Sequence, residues 1–359
     1  MRRKELAVLG GGVSGLSAAW FAAKRYAGVA AISVFEKGVH PGGWIRTAHR
    51  DGFLFECGPS SLRSVGEKGG VTLQLIEEIG LKDEVISCSE MGRKNRFLFV
   101  NNRLQLLPSS IVGMLQSPLI RRALPSVFRD WRVPRRDCDE DESVHSFFAR
   151  RFSPYVAETF ADPIVLGIYA GDSKRLSLRS CFPFLHEYED RHGSVVKGIV
   201  KEIFTNQKPP REGESEFVKK MRSERVYSFR SGIQTLTDGL YADLQAREEG
   251  DVSFYFKSQL ERMRMSPSGD SVELFFADGR KKEVDAVVSA LPSLALAQVL
   301  SGDEFQSLRD TLLKIPYASV ASVHLAYKVI PPYIVTLYYH SLHTHTHTHT
   351  HTHTHTHTH

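Results

Sequence analysis

The stretch Leu6-Ala7-Val8-Leu9-Gly10-Gly11-Gly12-Val13-Ser14-Gly15 decides the fold of this chain. Its first four residues form a short apolar run that suits a buried parallel strand, and the glycines that follow match the spacing GxGxxG. Gly10 permits a tight turn, Gly12 lets the backbone approach a pyrophosphate, and Gly15 lets the next helix lie close to the strand. The pattern predicts that phosphate groups bind at the positive end of that helix.

The residues after the glycines continue the same pattern. A helix is predicted from Leu16 to Tyr26, and a second apolar strand from Ala30 to Phe35 ends in Glu36. Glu36 lies about 20 residues past the glycines, the distance at which a carboxylate meets the ribose hydroxyls of an adenosine. Strand, glycines, helix, strand and acid in this order predict a Rossmann-like dinucleotide-binding domain.

Length and composition favour two interleaved domains. The 359 residues exceed the usual size of one domain, and 42% apolar with 24% charged residues is ordinary for a soluble globular protein. No uninterrupted apolar run is long enough to cross a bilayer, and no cleavable secretion signal follows Met1. The cysteines lack metal-ligand spacing, so neither a metal site nor disulfides are expected from Cys57, Cys88, Cys138 and Cys181.

Arginines and apolar residues interleave between positions 121 and 136. The arginines are Arg121, Arg122, Arg129, Arg132, Arg135 and Arg136, and the apolar residues are Leu124, Val127, Phe128 and Trp131. This composition suits peripheral binding to an anionic membrane surface. The alternative is a solvated basic face on an ordinary helix. No nucleic-acid-reading module is present, so nucleic acid is not an expected partner.

The end of the chain has a different character. From His343 to His359 histidine and threonine alternate without interruption. The tract has no apolar residues to bury and is predicted to be disordered. Metal binding is one interpretation of a His-rich tract, and a translated CA-dinucleotide repeat is the favoured one. Residues 329–359 are therefore expected to form an aberrant, disordered tail.

A second glycine pair indicates which dinucleotide is bound. Pro41-Gly42-Gly43-Trp44-Ile45-Arg46-Thr47 resembles the loop that the FAD-binding amine oxidase superfamily uses beside the pyrophosphate and flavin. The stretch from Phe229 to Leu236 is similar to the superfamily's glycine turn before a helix. The stretch from Val284 to Pro292 is similar to its returning strand, after a hairpin turn at Asp278-Gly279. The resemblance implies FAD as cofactor and a chain that leaves the FAD domain and returns.

Further stretches resemble the oxygen-dependent protoporphyrinogen oxidase family over roughly residues 1 to 328. They are Gly43 to Arg46, Phe55 to Pro59, Asn95 to Leu98, Val144 to Phe147, Gly167 to Asp172 and Leu178 to Pro183. The resemblance implies oxidation of a tetrapyrrole, protoporphyrinogen, to protoporphyrin with oxygen as electron acceptor and hydrogen peroxide as product. It also implies a peripheral location at the mitochondrial inner membrane.

The resemblance assigns roles to individual residues. Arg96 aligns with an arginine that pairs with a substrate propionate, a role that suits the two-pronged guanidinium. Gly167 aligns with a glycine that borders the macrocycle. The implied FAD-binding residues are Gly10, Gly11, Gly12, Val13, Ser14, Gly15, Glu36, Gly43, Trp44, Arg46, Gly58, Pro59, Ser60, Ser61 and Leu260.

Two further expectations concern these residues. Ser60 stands where some close relatives carry arginine, so a charge near the flavin is absent or supplied elsewhere. No catalytic side chain is expected because the flavin carries the chemistry. His145 and His186 are therefore interpreted as structural histidines.

The expected fold class is α/β, with a Rossmann-like FAD-binding domain interleaved with a substrate-binding domain and a helical membrane-associated insert. Residues 1–90 and 211–328 are assigned to the FAD domain and the strands of the substrate domain, and 91–210 to the insert. The C-terminal part that completes the flavin site in the family is expected to be missing. A homodimer is left open.

Three hypotheses about function follow from the sequence. The first is a protoporphyrinogen oxidase whose recorded sequence is shortened by a faulty gene structure. The second is another flavin enzyme, an amine oxidase or a desaturase. The third is an inactive shortened product that acts only as a binding partner.

Overall fold

The computed structural model describes residues 3–64, 66–88, 96–100, 102–108, 110–136, 140–205, 213–247, 251–317, 319–324, 326, 335–338 and 352–355. The chain divides into two compact units. The sheet unit comprises Met1–Cys88 and Gly213–Tyr317, and the helical unit comprises Ser89–Glu212 and Ala318–His359.

The regular elements alternate between strands and helices along the chain. The strands are β1 (Lys4–Leu9), β2 (Ala30–Phe35), β3 (Thr47–Arg50), β4 (Phe53–Glu56), β5 (Leu62–Arg63), β6 (Val85–Ser87), β7 (Arg96–Val100), β8 (Arg103–Leu107), β9 (Val226–Phe229), β10 (Val252–Tyr255), β11 (Leu260–Met265), β12 (Val272–Phe276), β13 (Lys281–Val284), β14 (Ala286–Ser289), β15 (Val335–Tyr338) and β16 (Thr352–His355). The helices are α1 (Val13–Arg25), α2 (Gly66–Glu78), α3 (Ile111–Gln116), α4 (Pro118–Asp130), α5 (Val144–Arg151), α6 (Pro154–Val156), α7 (Asp162–Tyr169), α8 (Leu178–Cys181), α9 (Pro183–His192), α10 (Val195–Thr205), α11 (Glu216–Glu224), α12 (Gln234–Gln245), α13 (Ser293–Val299) and α14 (Gln306–Leu313). Short 3₁₀ turns lie at Lys82–Glu84 and Asp303–Phe305, and a π-helical turn lies at Ala157–Ala161.

A four-stranded parallel sheet organises the sheet unit. Its strand order is β10-β2-β1-β14, so β1 lies between β2 and β14, with Leu6 opposite both Ile32 and Ala286. The chain passes from β1 to β2 on one side and places β14 on the other side of β1. In such sheets ligands bind at the carboxyl ends of the strands, where the strand order reverses. The predicted α/β class with a Rossmann-like start is confirmed.

Apolar residues of β1 enter a different core on each face of the sheet, because successive side chains of a strand alternate. Val8 is buried in a cluster that includes Leu16 of α1 and Leu240 of α12. Ala7 and Leu9 are buried on the other face, in a cluster with residues of β11, β12 and β13. Burial on both faces is typical of parallel strands and explains the continuous apolar run of β1.

The later parts of the sheet unit contain the turns that the sequence predicted. Gly232 has a φ of +98° and precedes α12, and Gly279 has a φ of +84° between β12 and β13. β14 then pairs in parallel with β1, from Leu6 opposite Ala286 to Leu9 opposite Ser289. The chain therefore leaves the sheet unit after Cys88 and returns at Gly213.

A buried ion pair organises the helical unit. Arg151 and Asp130 are both inaccessible to solvent, and Arg151 Nε lies 2.6 Å from Asp130 Oδ1. The other carboxylate oxygen of Asp130 accepts hydrogen bonds from Ser194 Oγ at 2.5 Å and the Val196 amide at 2.9 Å. The pair therefore joins the C-terminal end of α4 to α5 and to the start of α10.

A second arginine, next along α5, is held by two acids. Arg150 lies 2.9 Å from Glu189 and also forms an ion pair with Glu142. Burial disfavours the charge of Arg150, but the hydrogen bonds to Glu189 and Glu142 outweigh this effect and raise the pKa of the guanidinium. The charge of Arg150 therefore stabilises the packing of α5 against α9 at any ordinary pH.

The tail differs from its prediction in one place. β15 and β16 form an antiparallel pair in which Val335 lies opposite His355, whereas residues 329–359 were expected to be disordered. Alternating threonine has the two-residue period and the β-branched side chain that suit a strand, which explains the extended backbone at 352–355. The expectation of disorder for 329–334, 339–351 and 356–359 lies outside the described residues.

Two of the unit boundaries lie close to those expected from the sequence, and the third, near residue 318, does not. The helical unit begins at Ser89 and first ends at Glu212, beside the expected limits of 91 and 210. Residues from Ala318 onward group with the helical unit, although 318–328 were assigned to the returning domain. The assignment of the helical unit to substrate and membrane binding stays a prediction.

Candidate functional site

The tight turn predicted at Gly10 is present at the carboxyl end of β1. Gly10 has a φ of +100°, a conformation that other residues rarely adopt. Its amide donates to the Phe35 carbonyl oxygen at 2.8 Å, which ties the turn to the end of β2. A Cβ atom at Gly10 would also lie 3.3 Å from the Ala290 carbonyl oxygen. The turn therefore brings the ends of β1, β2 and β14 together.

Gly12 and Gly15 lie in different surroundings. A Cβ atom at Gly15 would lie 1.9 Å from the Gly10 carbonyl oxygen, so α1 approaches β1 more closely than any side chain permits. A Cβ atom at Gly12 would meet only Gly43 Cα, at 3.7 Å. Gly15 is thus required by the protein's own packing, whereas Gly12 leaves space that a ligand can occupy.

The start of α1 has the features that suit an anion. Gly12 is the N-cap residue, no side chain caps the helix, and the first turn contains no acidic residue. The first-turn amides, including those of Val13 and Ser14, therefore have no intrahelical acceptor. Together with the positive end of the helix dipole they favour a phosphate. The residues present fit the pyrophosphate of a dinucleotide.

Glu36 lies beside the glycines at the end of β2. Its Oε2 accepts from the Gly11 amide and its Oε1 from the Gly38 amide, both at 2.7 Å. The Glu36 amide donates to the Tyr255 carbonyl oxygen of β10 at 2.9 Å. These bonds fix the carboxylate at the edge of the cleft, and each oxygen retains a second lone pair for a hydroxyl donor. The contact with a ribose stays a prediction.

The second glycine pair rests directly on the first. The Gly42 amide donates to the Gly11 carbonyl oxygen at 2.8 Å, and a Cβ atom at Gly43 would lie 3.0 Å from Gly12 Cα. Gly43 also has a φ of +60°. The side chains of Trp44 and Arg46 project from this loop, and that of Trp44 is 84% exposed. Neither side chain packs into the hydrophobic core.

The loop from Gly58 to Ser61 lies against the second glycine pair. A Cβ atom at Gly58 would lie 2.1 Å from the Trp44 carbonyl oxygen, so glycine is required there. Pro59, Ser60 and Ser61 are exposed, and Ser60 is held through its carbonyl oxygen, which accepts from Ser228 Oγ at 3.0 Å.

Leu260 has a different environment. It is partly buried against the cluster that contains Ala7, Leu9 and Phe35. It therefore packs beside β2 rather than within the glycine turn, and its contact with the adenine stays a prediction.

Three residues around the cleft, Ala290, Leu291 and Glu56, were not predicted as site residues, although each lies in a stretch that resembles the family. Ala290 and Leu291 follow β14 and face the Gly10 turn, where Leu291 Cδ2 would lie 3.6 Å from a Cβ at Gly10. The rule that ligands bind where strand order reverses would have found them once β14 was placed beside β1.

The third of these residues, Glu56, is bonded to Thr47, the last residue of the loop that contains the second glycine pair. Glu56 accepts from Thr47 Oγ1 at 2.7 Å and from the Ile233 amide at 2.8 Å. It thereby joins the β3–β4 hairpin to the start of α12. Since its partners are 9 and 177 residues away, no local pattern indicates it.

The two predicted substrate residues lie in the helical unit. Arg96 begins β7, where its backbone pairs with Leu107, and its side chain lies outside the described residues. Gly167 lies in α7 between Ile164 and Ile168, which are one turn apart and are 44% and 60% exposed. The described residues offer an apolar helical surface around Gly167.

The two histidines that the sequence offered as candidate bases, His145 and His186, are both hydrogen-bonded to other side chains. His145 Nδ1 lies 3.1 Å from Asp162 Oδ1, and Arg179 Nε donates to His186 Nε2 at 3.2 Å. These partners agree with the structural role expected for each histidine. Among the described residues, no group of side chains could hold a metal ion.

The basic segment forms α4 and the turn after it. Phe128 and Trp131 are 61% and 52% exposed, with ring centroids 6.1 Å apart, whereas Leu119, Ser126 and Asp130 are buried. The guanidinium of Arg122 lies 4.3 Å from the ring centroid of Tyr155. Aromatic rings and arginines are thus exposed along the same segment. In the described part of the chain, no helix is both long and apolar enough to span a bilayer.

Comparison with known proteins identifies the class. The sequence profile of the flavin containing amine oxidoreductases matches residues 13–335, and the chain belongs to this family. It is an oxidoreductase with FAD as its cofactor, and the cleft described above fits the dinucleotide.

Individual relatives are more specific. The protoporphyrinogen oxidase of Bos taurus is 34% identical over 90% of this chain and 67% of that protein. The coproporphyrinogen III oxidase of Bacillus subtilis (strain 168) is 28% identical over the same shares. A crystal structure from Exiguobacterium sp. 255-15, named as a protoporphyrinogen oxidase, has a TM-score of 0.61 and 22% identity, and covers 83% of this chain and 62% of that one. This chain thus spans about two thirds of the length of these curated relatives.

Proposed function

We propose that this chain oxidises protoporphyrinogen to protoporphyrin in haem biosynthesis, with FAD as cofactor and oxygen as electron acceptor. The observation that carries the proposal is the 34% identity to a protoporphyrinogen oxidase over 90% of the chain. The geometry of the cleft supports it, because the uncapped start of α1 and the adjacent Glu36 are suited to a dinucleotide. When bound, the flavin accepts hydride from the substrate and passes electrons to oxygen.

The sheet unit would hold the cofactor. The amides of Gly12 to Ser14 at the helix start would bind the pyrophosphate, and Glu36, which accepts from the Gly11 amide, would also accept hydrogen bonds from the ribose. The exposed Trp44 and Arg46, with the loop from Gly58 to Ser61, would lie against the flavin. Leu260 would contact the adenine side.

The helical unit would hold the substrate. Arg96 would pair with a propionate, since a guanidinium offers two parallel donors to a carboxylate. Gly167 would border the macrocycle, where the exposed Ile164 and Ile168 supply apolar surface on either side. The protein's part is to orient the macrocycle and to bind its carboxylates, and no side chain is assigned a proton-transfer step.

A second porphyrinogen is the alternative substrate. The Bacillus subtilis relative is named for coproporphyrinogen III, which carries additional propionates where protoporphyrinogen carries vinyl groups. The higher identity to the bovine protein favours protoporphyrinogen. A difference of two propionates changes the number of cationic partners that a pocket must supply. Turnover of the two substrates, measured side by side, therefore shows which porphyrinogen the protein oxidises.

We also propose a peripheral location at the mitochondrial inner membrane. The support is the exposure of Phe128 and Trp131 among the arginines of α4, a combination suited to anionic lipid surfaces. A homodimer stays a prediction.

The proposal is tested on the purified 359-residue chain. Flavin absorbance is measured first, and then porphyrin fluorescence and oxygen consumption with protoporphyrinogen, coproporphyrinogen and putrescine. We expect bound FAD and a rise of protoporphyrin fluorescence. Turnover of the amine would favour another flavin enzyme, and a stable protein without flavin absorbance would favour the inactive binding partner.

Substitution of Arg96 tests the substrate assignment. Arg96→Ala should lower kcat/KM for protoporphyrinogen. The expected decrease corresponds to a loss of about 2 to 5 kcal/mol in transition-state stabilisation, while FAD still binds. Wild-type protein should prefer the acid to its propionate ester, and the variant should lose that preference. Arg103→Ala is the matched control because Arg103 is exposed on the same β7–β8 hairpin. Equal discrimination by wild type and Arg96→Ala would remove Arg96 from the site.

A further inference from the structure

The loop between β14 and α13 forms one wall of the dinucleotide cleft. The Ala290 amide donates to the Leu9 carbonyl oxygen at 2.8 Å, immediately before the Gly10 turn. A Cβ atom at Gly15 would lie 3.4 Å from Ala290 Cβ, so the same loop also contacts the start of α1. Any shift of Ala290 therefore changes the space around the uncapped helix start that fits a pyrophosphate.

Local interactions hold this loop weakly on its other side. The Leu291 amide reaches Ser289 Oγ only at 3.4 Å. α13 follows at once, and its N-cap residue, Pro292, offers no side-chain hydrogen bond. The first amides of a helix need an acceptor from outside the helix. In this chain a side chain remote in sequence provides such an acceptor.

Tyr317 supplies it from 24 residues further on. Its hydroxyl oxygen accepts from the Ser293 amide at 2.8 Å and from Ser293 Oγ at 3.1 Å. The chain reaches this point after α14, whose last turn closes with the Ile315 amide donating to the Leu312 carbonyl oxygen at 3.2 Å. Leu296 of α13 and Leu312 of α14 both pack against the cluster that contains Leu9.

We propose that Tyr317 is a positioning residue for the FAD site: its hydroxyl caps α13 and thereby holds the Ser289–Pro292 loop against the Gly10 turn. The ring itself is 58% exposed, so the hydroxyl rather than apolar burial carries the contact. This inference rests on the proposed FAD site. It adds a residue to which neither the glycine motifs nor the second glycine pair point.

The test is Tyr317→Phe in the full chain, which removes the hydroxyl and keeps the ring. Hydrogen exchange of the apoprotein should become faster in the peptide that covers residues 289–296, by roughly fivefold if one hydrogen bond is lost. The FAD dissociation constant, measured by titration of flavin fluorescence, should rise by a similar factor. Ser293→Ala, which keeps the amide donor, should have a smaller effect on both.

The control is Tyr155→Phe, which removes a tyrosine hydroxyl bonded to the Leu119 carbonyl oxygen in the helical unit. It should change neither readout. Unchanged exchange in Tyr317→Phe would overturn the proposal, and so would faster exchange with unchanged FAD affinity. A wild-type chain without FAD affinity would instead reject the proposed function, while the exchange measurement would still decide whether Tyr317 holds the loop.

Discussion

Gly12 and Gly15 lie three residues apart and have different roles: packing requires Gly15, whereas Gly12 leaves space for a ligand. Gly12→Val adds a side chain where only Gly43 Cα lies near, at a φ of −72° that valine can adopt. We expect a loss of about 1 kcal/mol in the free energy of unfolding, typical of an apolar N-cap residue, together with loss of FAD because the side chain occupies the phosphate space. Flavin absorbance and thermal unfolding of the purified variant measure the two effects.

Gly15→Ala provides the contrast. Its methyl group would lie 1.9 Å from a backbone oxygen, so the helix must move away from β1. Overpacking of this kind costs about 3 kcal/mol in the free energy of unfolding. If Gly12→Val retained flavin, or if Gly15→Ala were as stable as wild type, the roles assigned to these glycines would be wrong.

The carboxylate of Glu36 should contribute directly to FAD affinity. Glu36→Ala should weaken FAD binding by about 1.5 to 3 kcal/mol, the range for hydrogen bonds that involve a charged group. The variant also loses the bonds to Gly11 and Gly38, so the glycine turn itself should become less ordered. Titration of the apoprotein with FAD measures the affinity. Glu78→Ala is the control, since Glu78 is at the far end of α2 and forms an ion pair with Lys24 on the surface.

These residues were predictable because their signal is local. The glycine spacing and the position of Glu36 follow from one strand-helix-strand unit, and the structure places them together. Glu56 and Tyr317 act through partners that are remote in sequence, so only the folded chain reveals them. The backbone conformation that a residue must adopt can be predicted from the local sequence, whereas hydrogen bonds between segments that are distant in sequence cannot.

At the scale of the element, α4 shows what a sequence pattern can and cannot determine. Interleaved arginines and apolar residues predicted a membrane-surface patch, which stays a prediction, and the structure shows that Phe128 and Trp131 are exposed. The pattern did not predict that Asp130, in the same helix, is fully buried. A buried carboxylate requires a charged partner, and that partner is Arg151, 21 residues away.

The exposure of α4 leads to a prediction on membrane binding. Flotation with liposomes should depend on anionic lipid and should weaken as salt rises, because arginine attraction to the surface is screened. The double variant Phe128→Ser, Trp131→Ser should reduce flotation severalfold without loss of stability, since both rings are more than half exposed. Leu308→Ser, at an exposed leucine of the sheet unit, is the control. Binding that ignores lipid charge and salt would leave only a solvated basic face.

At the scale of the whole molecule, the order of strands explains how distant segments build one cleft. β14 begins at residue 286 and yet pairs with β1, which places Ala290 beside Gly10. The sequence predicted this return from the resemblance of one stretch, and the fold confirms it. The grouping of Ala318–His359 with the helical unit could not be predicted, because no local motif in the sequence indicates it.

The division into two units predicts that damage to one core leaves the other core intact. Each unit contains its own buried clusters, around Val8 and Leu9 in the sheet unit and around Phe147 and Val165 in the helical unit. Arg151→Ala removes the partner of the buried Asp130 and should cost about 3 to 5 kcal/mol, because an unpaired charge stays buried. Hydrogen exchange should therefore become faster in α4, α5 and α10.

The same variant should leave exchange in β1 and β2 unchanged, and it should still bind FAD at the glycine turn. Arg191→Ala is the matched control, since Arg191 forms an exposed pair with Glu187 on the neighbouring α9 and such pairs contribute about 1 kcal/mol or less. The restoring variant is Arg151→Met with Asp130→Asn, which removes both charges, keeps an oxygen acceptor for Ser194 Oγ and the Val196 amide, and should recover part of the stability lost in Arg151→Ala. Faster exchange throughout both units would show that the chain unfolds as a single cooperative body and would contradict the division.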